Sequence, residues 1–373
     1  MSKGQPLVMV CAGGGGVGKT TTSAALALAL ARQGARTLVI TIDPARRLAD
    51  ALGVRLGNDL QVIGLDPSTG DRLVALMPEP SLATRTFMDF LFLEEPDAHA
   101  RLMANQLFLT LEDKLAGMNE LVAMTLVIRA LAAEPFDAVI VDTAPSRYAL
   151  DFFTYPARLS ALLEGRAVKW IATLMQRAEE RRGKDRRWWS GWGKRQVEAA
   201  VSHVLGTSLV QDTTHLFAEI ALIRKRFAWI AREIDNLLRG PRTAHILVAA
   251  PTGAAEDDLF FLFRRLVELE SRAHAVLLNR TGLELDTWVR LFEPDVPLGQ
   301  HARIQLQHLR EEHFSRVQAS QRIHRRLESL PRPVPVVDLP LLTYTEPAEI
   351  VQELATLLDP SLRMLTGWRS PHA

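Results

Sequence analysis

The chain has 373 residues, of which 47% are hydrophobic and 23% charged, and its 44 basic residues nearly balance its 43 acidic ones. These proportions are those of an ordinary globular protein, so they exclude a disordered, collagen-like or coiled-coil chain, and a net charge of +1 gives no reason to expect a nucleic-acid partner. The single cysteine, Cys11, excludes an internal disulfide bond and a zinc site built from two cysteines of one chain. No secretion signal or membrane span is evident, so the sequence predicts a soluble, cytoplasmic protein.

Short apolar runs, most of them separated by helical patterns, predict the strands of a sheet. Their apolar residues are continuous rather than alternating, which indicates strands that are buried on both faces. The runs are Leu7–Cys11, Thr37–Ile42, Ala138–Val141, Ile246–Ala249, Ala275–Leu278 and Val334–Val337. Strands that alternate with helices predict an α/β fold with a doubly wound, mostly parallel sheet, whose ligands bind at the carboxyl ends of the strands.

Two long stretches interrupt this alternation. Residues from about 80 to 134 and from about 145 to 240 show helical periodicity with few turn signals. We predict that residues 1–373 form a single domain and that these two stretches are helical insertions, which form a subdomain.

The first predicted strand leads into a glycine-rich segment. Gly13, Gly18, Lys19 and Thr20 satisfy the pattern G-x-x-x-x-G-K-[ST], and a small apolar helix is predicted at Ser23–Gln33. The N–H groups of such a loop form an anion site at the positive end of the helix, the lysine reaches the β- and γ-phosphates, and the hydroxyl binds magnesium. A glycine-rich turn without a ligand is the alternative. The pattern favours a site for ATP and Mg²⁺ formed by Gly13, Gly14, Gly15, Gly16, Val17, Gly18, Lys19, Thr20 and Thr21.

Polar residues at the ends of three other runs are candidates for the same site. Asp43 can orient a water near the γ-phosphate, or it can simply start a turn or cap a helix. Asp142 can hold magnesium directly or through water, with a purely structural role as the alternative. The Asn279 amide can donate to and accept from an adenine edge, although Asn279-Arg280 also suits a plain turn.

The order and spacing of these motifs resemble those of a known family. The glycine-rich loop is followed by Asp43-Pro44-Ala45, Asp142-Thr143-Ala144-Pro145 and Asn279-Arg280. This set resembles the arsenite-pump and tail-anchored-protein targeting ATPases, P-loop NTPases with a deviant Walker A motif, and most of all their bacterial ArsA-like branch. The resemblance extends over nearly the whole chain.

What the resemblance implies is a magnesium-dependent ATPase that dimerises around two nucleotides and acts on a hydrophobic or membrane-linked protein client. The dimer would be a homodimer or a heterodimer with a paralogue. By motif match, Asp43 would position the attacking water, Lys19 would hold the phosphates, and Thr20 with Asp142 would serve the metal. Asn279 and Arg280 would contact the base, and so would Pro340, in a second base-contacting loop at Asp338–Leu342.

Three departures from the family pattern bear on activity. The family's signature lysine, directly after the first loop glycine, is here Gly14, and Asp-Pro-Ala-His-Asn is here Asp43-Pro44-Ala45-Arg46-Arg47. The paired cysteines that clamp targeting members on zinc are absent from this sequence. These departures imply that hydrolysis is slow, that it depends on a partner, or that Arg46 or Arg47 supplies the missing positive charge. The alternative function is an ATP-gated binding module, or a pseudo-ATPase partner, with little hydrolysis of its own.

Other readings of the motifs are weaker. A plasmid-partition or division-positioning ATPase shares the loop chemistry, but an evident C-terminal amphipathic membrane helix is lacking. Direct arsenite transport is disfavoured because a thiophilic ligand needs clustered thiols.

Two segments are candidate partner surfaces. Thr86–Leu93 and the methionine-containing run from Leu102 to Leu131 suit either a groove for a hydrophobic client or a core. Residues 166–195 contain ten basic residues against three acidic ones, together with Trp188, Trp189 and Trp192. This segment suits peripheral contact with a membrane or an acidic partner, or it is a solvated loop.

Overall fold

The structure is a computed structural model that describes residues 6–43, 45–105, 119–144, 150–154, 207–283 and 299–367. The contacts divide the chain into two compact units. The first unit comprises Met1–Glu79, Val127–Phe153 and Asn236–Ala373, and the second comprises Pro80–Leu126 and Thr154–Asp235.

The first unit is built on a sheet. Its strands are β1 Leu7–Gly13, β2 Thr37–Thr41, β3 Gln61–Val62, β4 Leu73–Leu76, β5 Ala138–Asp142, β6 Thr243–Ala249, β7 Ala273–Leu283 and β8 Val336–Leu341. In the described residues these eight strands form one sheet in the order β3-β4-β2-β5-β1-β6-β7-β8. Neighbouring strands are parallel except for β3 and β4, which are antiparallel. The predicted α/β class with a mostly parallel sheet is therefore confirmed.

The α-helices of the described residues are α1 Lys19–Arg32, α2 Arg47–Leu52, α3 Pro80–Leu91, α4 Pro96–Met103, α5 Asn119–Ala133, α6 Thr207–Arg239, α7 Gly253–Glu268, α8 Gln300–Glu328, α9 Pro347–Leu358 and α10 Leu362–Thr366. None of them combines the length and the hydropathy that a membrane crossing needs.

Strand register brings three strand ends together. Strand β1 lies between β5 and β6, and all seven of its residues are buried, as its unbroken apolar sequence predicts. Cys11, two residues before the end of β1, and Thr41 at the end of β2 are both register partners of Asp142, the last residue of β5. The carboxyl ends of these strands therefore converge at one buried carboxylate.

Helix α1 is built almost entirely from alanine and leucine after its first turn. The small alanine side chains allow it to lie close to the sheet and to α9, and Ala24 through Ala31 are completely buried. The helix ends before Gly34, which adopts a left-handed conformation with φ 92°. Glycine adopts that conformation without the steric cost of a Cβ, so it is a common helix terminator.

Several boundaries differ from the prediction. Helix α1 begins at Lys19 rather than Ser23, because the loop lysine and the threonines after it form its first turn. Strands β3 and β4 were not predicted, since β3 consists of two exposed residues and β4 of only four residues. The first four residues of the predicted loop Asp338–Leu342 belong to strand β8, which ends at Leu341. Pro340 fits there since an edge strand tolerates a residue without an N–H.

The second unit is helical where it is described. The guanidinium of Arg101 on α4 makes two hydrogen bonds of 2.6 and 3.2 Å to the buried carboxylate of Glu219 on α6. Phe87, Leu121 and Met124 of the two predicted client-binding runs are buried, which favours the core alternative for them, whereas Leu93 is 65% exposed. Residues 106–118 of the methionine-containing run and the whole basic segment 166–195 lie outside the described residues.

Candidate functional site

The glycine-rich loop joins β1 to α1, and two of its glycines are required by their surroundings. A Cβ on Gly13 would lie less than 3.0 Å from the carbonyl oxygen of Val248 on β6. Gly18 has φ 85°, and a Cβ there would lie less than 3.0 Å from the amide nitrogen of Asn279. By contrast, Gly15 and Gly16 at the tip of the loop are exposed and have open space around them. The loop is thus packed tightly at its ends and open where an anion can approach.

Lys19, the loop lysine, is buried beside Asp142. Its Nζ lies 3.4 Å from Oδ1 of Asp142 and donates a second hydrogen bond to the carbonyl oxygen of Thr143. Side-chain exposure is 3% for Lys19 and 0% for Asp142. Two buried opposite charges with hydrogen-bond partners satisfy the condition under which charges are tolerated in a protein interior.

Asp142 is the centre of a hydrogen-bond network. Its Oδ2 accepts from the Thr20 hydroxyl at 2.8 Å and from the Thr41 hydroxyl at 3.0 Å. Its Oδ1 also accepts from the Ser23 hydroxyl at 3.4 Å. The predicted pair Thr20 and Asp142 is therefore brought together. Thr41 was not singled out from the sequence, although a hydroxyl at the end of a strand two residues before Asp43 was an available signal.

The Thr20 and Asp142 oxygens are the kind of donors that Mg²⁺ prefers. Among the described residues, no group of three or more histidine, cysteine, aspartate or glutamate side chains is placed to hold a metal. A magnesium ion here would therefore need oxygens from a bound phosphate and water to complete its coordination, as Mg²⁺ sites usually do. The residues fit such a shared site.

Asp43 lies two residues after Thr41, the last residue of β2, and is 6% exposed. Its backbone N–H donates to the Thr41 hydroxyl at 3.2 Å, so the same threonine contacts both aspartates. Its Oδ1 accepts from the N–H of Ala45 at 3.0 Å, and its Oδ2 accepts from the guanidinium of Arg47 at 2.8 Å. Both carboxylate oxygens are thus held.

A cavity of about 220 Å³ lies beside the loop. The predicted base-contacting residues Asn279, Arg280 and Pro340 line it, together with Gly18 and Thr21. Its other lining residues are Arg316, Leu341, Leu342, Pro347, Ile350 and Leu354. Apolar side chains beside the Asn279 amide suit a flat aromatic base, and Arg280 and Arg316 add positive charge to the lining.

Asn279 and Arg280 tie this cavity to the loop. The Asn279 amide donates to the carbonyl oxygen of Val17 at 2.9 Å, and the Arg280 guanidinium donates to that of Gly16 at 3.3 Å. Arg280 has a positive φ of 61°, which non-glycine residues seldom adopt. Such strain is concentrated at functional sites.

The position of the family's signature lysine has an acidic neighbour. A Cβ on Gly14 would lie less than 3.0 Å from the carboxylate of Asp258 on α7. Asp258 could not be found from the sequence, because it lies on a different element 244 positions after Gly14. A carboxylate therefore lies next to the position where the family pattern has a lysine.

Cys11 lies under the loop and is completely buried. Burial raises the pKa of its thiol to about 12, so the thiol stays protonated at neutral pH and is chemically inert. Cys11 therefore acts as a small core residue.

Two comparisons with known proteins bear on the site. The sequence model described as Anion-transporting ATPase (ArsA_ATPase) matches residues 7–185. An ATPase get3 of Schizosaccharomyces japonicus is 31% identical over 253 residues, which are 67% of this chain and 67% of that protein.

Other relatives match over a shorter length. An ATPase get3 of Schizosaccharomyces pombe is 32% identical over 134 residues, which are 36% of this chain and 38% of the relative. An ATPase GET3 of Lachancea thermotolerans is 32% identical over 144 residues, 36% of this chain and 40% of the relative. The chain thus spans about two fifths of the length of these two relatives.

Proposed function

Because the chain belongs to the ArsA-type anion-transporting ATPase family, we propose that it binds ATP with Mg²⁺ and hydrolyses it to ADP and phosphate. One observation carries the proposal: Lys19, Thr20 and Asp142 form a buried cluster at the end of a glycine-rich loop. The loop lysine and hydroxyl are the groups that phosphoryl transfer uses, and the carboxylate is at the end of an adjacent strand, as in other P-loop NTPases.

Each side chain has a proposed task. Lys19 holds the β- and γ-phosphates, and Thr20 and Asp142 hold Mg²⁺, the latter directly or through water. When bound, the metal neutralises charge that develops on the phosphate oxygens. Asp43 orients the attacking water so that its oxygen meets the γ-phosphorus, and the bond to the β-phosphate oxygen breaks as the new bond forms. Asn279, Arg280 and Pro340 contact the adenine.

We further propose that the ATPase works as a dimer in the cytoplasm, with itself or with a paralogue, and acts on a hydrophobic or membrane-linked protein client. The support is the resemblance of the ordered motifs to the arsenite-pump and tail-anchored-protein targeting family. The helical second unit, which corresponds to the two predicted insertions, is the proposed client-binding part, and the basic segment 166–195 is the proposed membrane contact.

A second candidate function is favoured by Gly14 and Asp258. Without the signature lysine, and with a carboxylate next to its position, charge stabilisation across a dimer is weakened. The chain would then hold ATP as a gate and hydrolyse little of it alone.

One experiment separates the enzyme from the gate. The steady-state rate of phosphate release is measured for the purified chain, with and without its co-purifying proteins, beside equilibrium binding of a fluorescent ATP analogue. Turnover by the purified chain at ordinary ATPase rates supports the enzyme and rejects the gate. Tight binding with negligible turnover, restored by a partner, supports the gate. A chain that shows no ATP binding and no turnover would contradict both candidate functions.

A further inference from the structure

The contact between Asp43 and Arg47 has no counterpart in the family pattern, where the residues after Asp-Pro-Ala are His and Asn. The Arg47 guanidinium donates to Oδ2 of Asp43 at 2.8 Å. The carboxylate is 7% exposed, whereas the arginine side chain is 55% exposed. A cation that solvent can reach thus covers one side of a nearly buried carboxylate.

The direction of the two hydrogen bonds fixes the carboxylate in its plane. The N–H of Ala45 holds Oδ1 at 3.0 Å, and Arg47 holds Oδ2. Each oxygen has a second lone pair, so each can still accept a hydrogen bond from water. Two donors on opposite oxygens restrict rotation of the carboxylate, and a restricted acceptor aligns a water better than a freely rotating one.

Charge gives a second reason for a cation at this place. A carboxylate close to a γ-phosphate repels it, because both groups are negative. Gly14 provides no side chain that could offset that repulsion. Lys19 is directed to Asp142 and Thr143. Arg47 is therefore the cation that directly contacts Asp43 in the described structure.

We infer that Arg47 is a positioning residue for the proposed hydrolysis: it fixes the Asp43 carboxylate and offsets its charge, so that Asp43 aligns the attacking water. The inference rests on the proposed ATPase function. Arg47 would thus provide a positive charge, on the same short segment as Asp43, that the loop lacks because residue 14 is glycine.

The chain offers a matched control in Arg46. It is the neighbouring arginine at the start of α2, it is exposed, and its side chain makes no hydrogen bond or ion pair with any residue that the structure describes. Removing Arg46 changes the net charge of the segment as much as removing Arg47 does, but it leaves the contact with Asp43 in place. Arg46 is exposed and the Arg47 side chain is 55% exposed, so neither truncation leaves a cavity in the core, and the N–H of Ala45 still holds Asp43 when Arg47 is removed.

The experiment measures kcat and KM for ATP in wild type, Arg47→Ala, Arg47→Lys and Arg46→Ala, with thermal unfolding of each. We expect Arg47→Ala to lower kcat by about tenfold or more and to change KM by less than about threefold. Arg47→Lys should retain part of kcat, since it keeps the charge without the planar fork. Millimolar guanidinium ion should raise kcat of Arg47→Ala and leave Arg46→Ala unchanged.

Three results would overturn the inference while leaving the ATPase proposal intact: wild-type kcat in Arg47→Ala, an equal loss of kcat in Arg46→Ala, or a loss that follows a lower unfolding temperature and is not rescued by guanidinium. Absence of turnover in the wild type is a different outcome, because it contradicts the proposed hydrolysis itself and with it any role of Arg47 in it.

Discussion

The hydroxyl of Thr20 donates a 2.8 Å hydrogen bond to Oδ2 of Asp142, and this joins the first turn of α1 to the carboxyl end of β5. The two oxygens belong to groups that lie 122 residues apart in sequence. Their proximity is the structural basis of the proposed magnesium site.

The first prediction concerns magnesium dependence. Asp142→Asn removes the negative charge but keeps the shape, so the Mg²⁺ concentration for half-maximal activity should rise by about 10- to 100-fold. Thr41→Val is the matched control because it removes a hydrogen bond to the same oxygen without removing a proposed ligand. It should raise the requirement far less. A titration of phosphate release against Mg²⁺ measures both, and equal effects of the two variants would contradict the metal role of Asp142.

The second prediction concerns loop glycines. Gly18→Ala introduces a Cβ that meets the Asn279 amide at a residue with φ 85°, so it should destabilise the fold by about 1–3 kcal/mol. Gly15→Ala meets no atom within 4 Å and has no positive φ, and it should change stability by less than about 0.5 kcal/mol. Urea denaturation measures both. Similar stability of the two variants would show that the close approach at Gly18 is not required.

The third prediction concerns base selection. The Asn279 amide both donates and accepts, as an adenine edge requires, whereas an aspartate only accepts and suits the N–H donors of guanine. Asn279→Asp should therefore shift the ratio of kcat/KM for ATP over GTP by about tenfold towards GTP, which corresponds to about 1.4 kcal/mol. An unchanged ratio would mean that Asn279 does not contact the base and serves only to hold Val17.

The fourth prediction concerns the position of the missing lysine. The carboxylate of Asp258 lies next to Gly14, so a lysine introduced there has a competing partner within its own chain. We therefore expect Gly14→Lys alone to raise ATP turnover less than the double variant Gly14→Lys with Asp258→Ala, which removes the carboxylate with both its charge and its close contact to residue 14. The rate of phosphate release for the single and double variants, with Asp258→Ala alone as the control, tests this. No gain in the double variant would contradict the account.

The fifth prediction concerns acid stability. His245 is 3% exposed and lies against the rings of Phe153 and His274. Burial, followed by the neighbouring His274, lowers its pKa from 6.5 to about 4. The unfolded chain therefore takes up the proton first, and stability falls as pH drops from about 6.5 to about 4, with a limit of about 3 kcal/mol.

The variant His245→Phe keeps a ring in that place and removes the titration. Its free energy of unfolding should depend less steeply on pH between about 6.5 and 4 than that of the wild type. Parallel slopes for wild type and His245→Phe would contradict the effect of burial.

The sequence was sufficient for the elements with strong local signals. The buried strands β1, β2, β5 and β6 could be predicted because their apolar residues are continuous. The loop could be predicted because its glycines, lysine and threonine have the spacing of a phosphate-binding motif. Strand β3 was missed because two exposed residues have no periodicity. Contacts that depend on tertiary packing were beyond reach: Asp258 meets Gly14 through the placement of α7, and Thr41 meets Asp142 through strand register. The salt bridge between Arg47 and Asp43 could not be predicted from the sequence, because it depends on the backbone conformation that places the two side chains together.

We propose that ATP is hydrolysed at the loop lysine, and the other predictions about activity depend on this. The most direct measurement is phosphate release from ATP by wild type and by Lys19→Ala, after circular dichroism has shown that both are folded. We expect magnesium-dependent release by the wild type and a rate lower by about 100-fold or more in Lys19→Ala. Equal rates of phosphate release by the two proteins would contradict it.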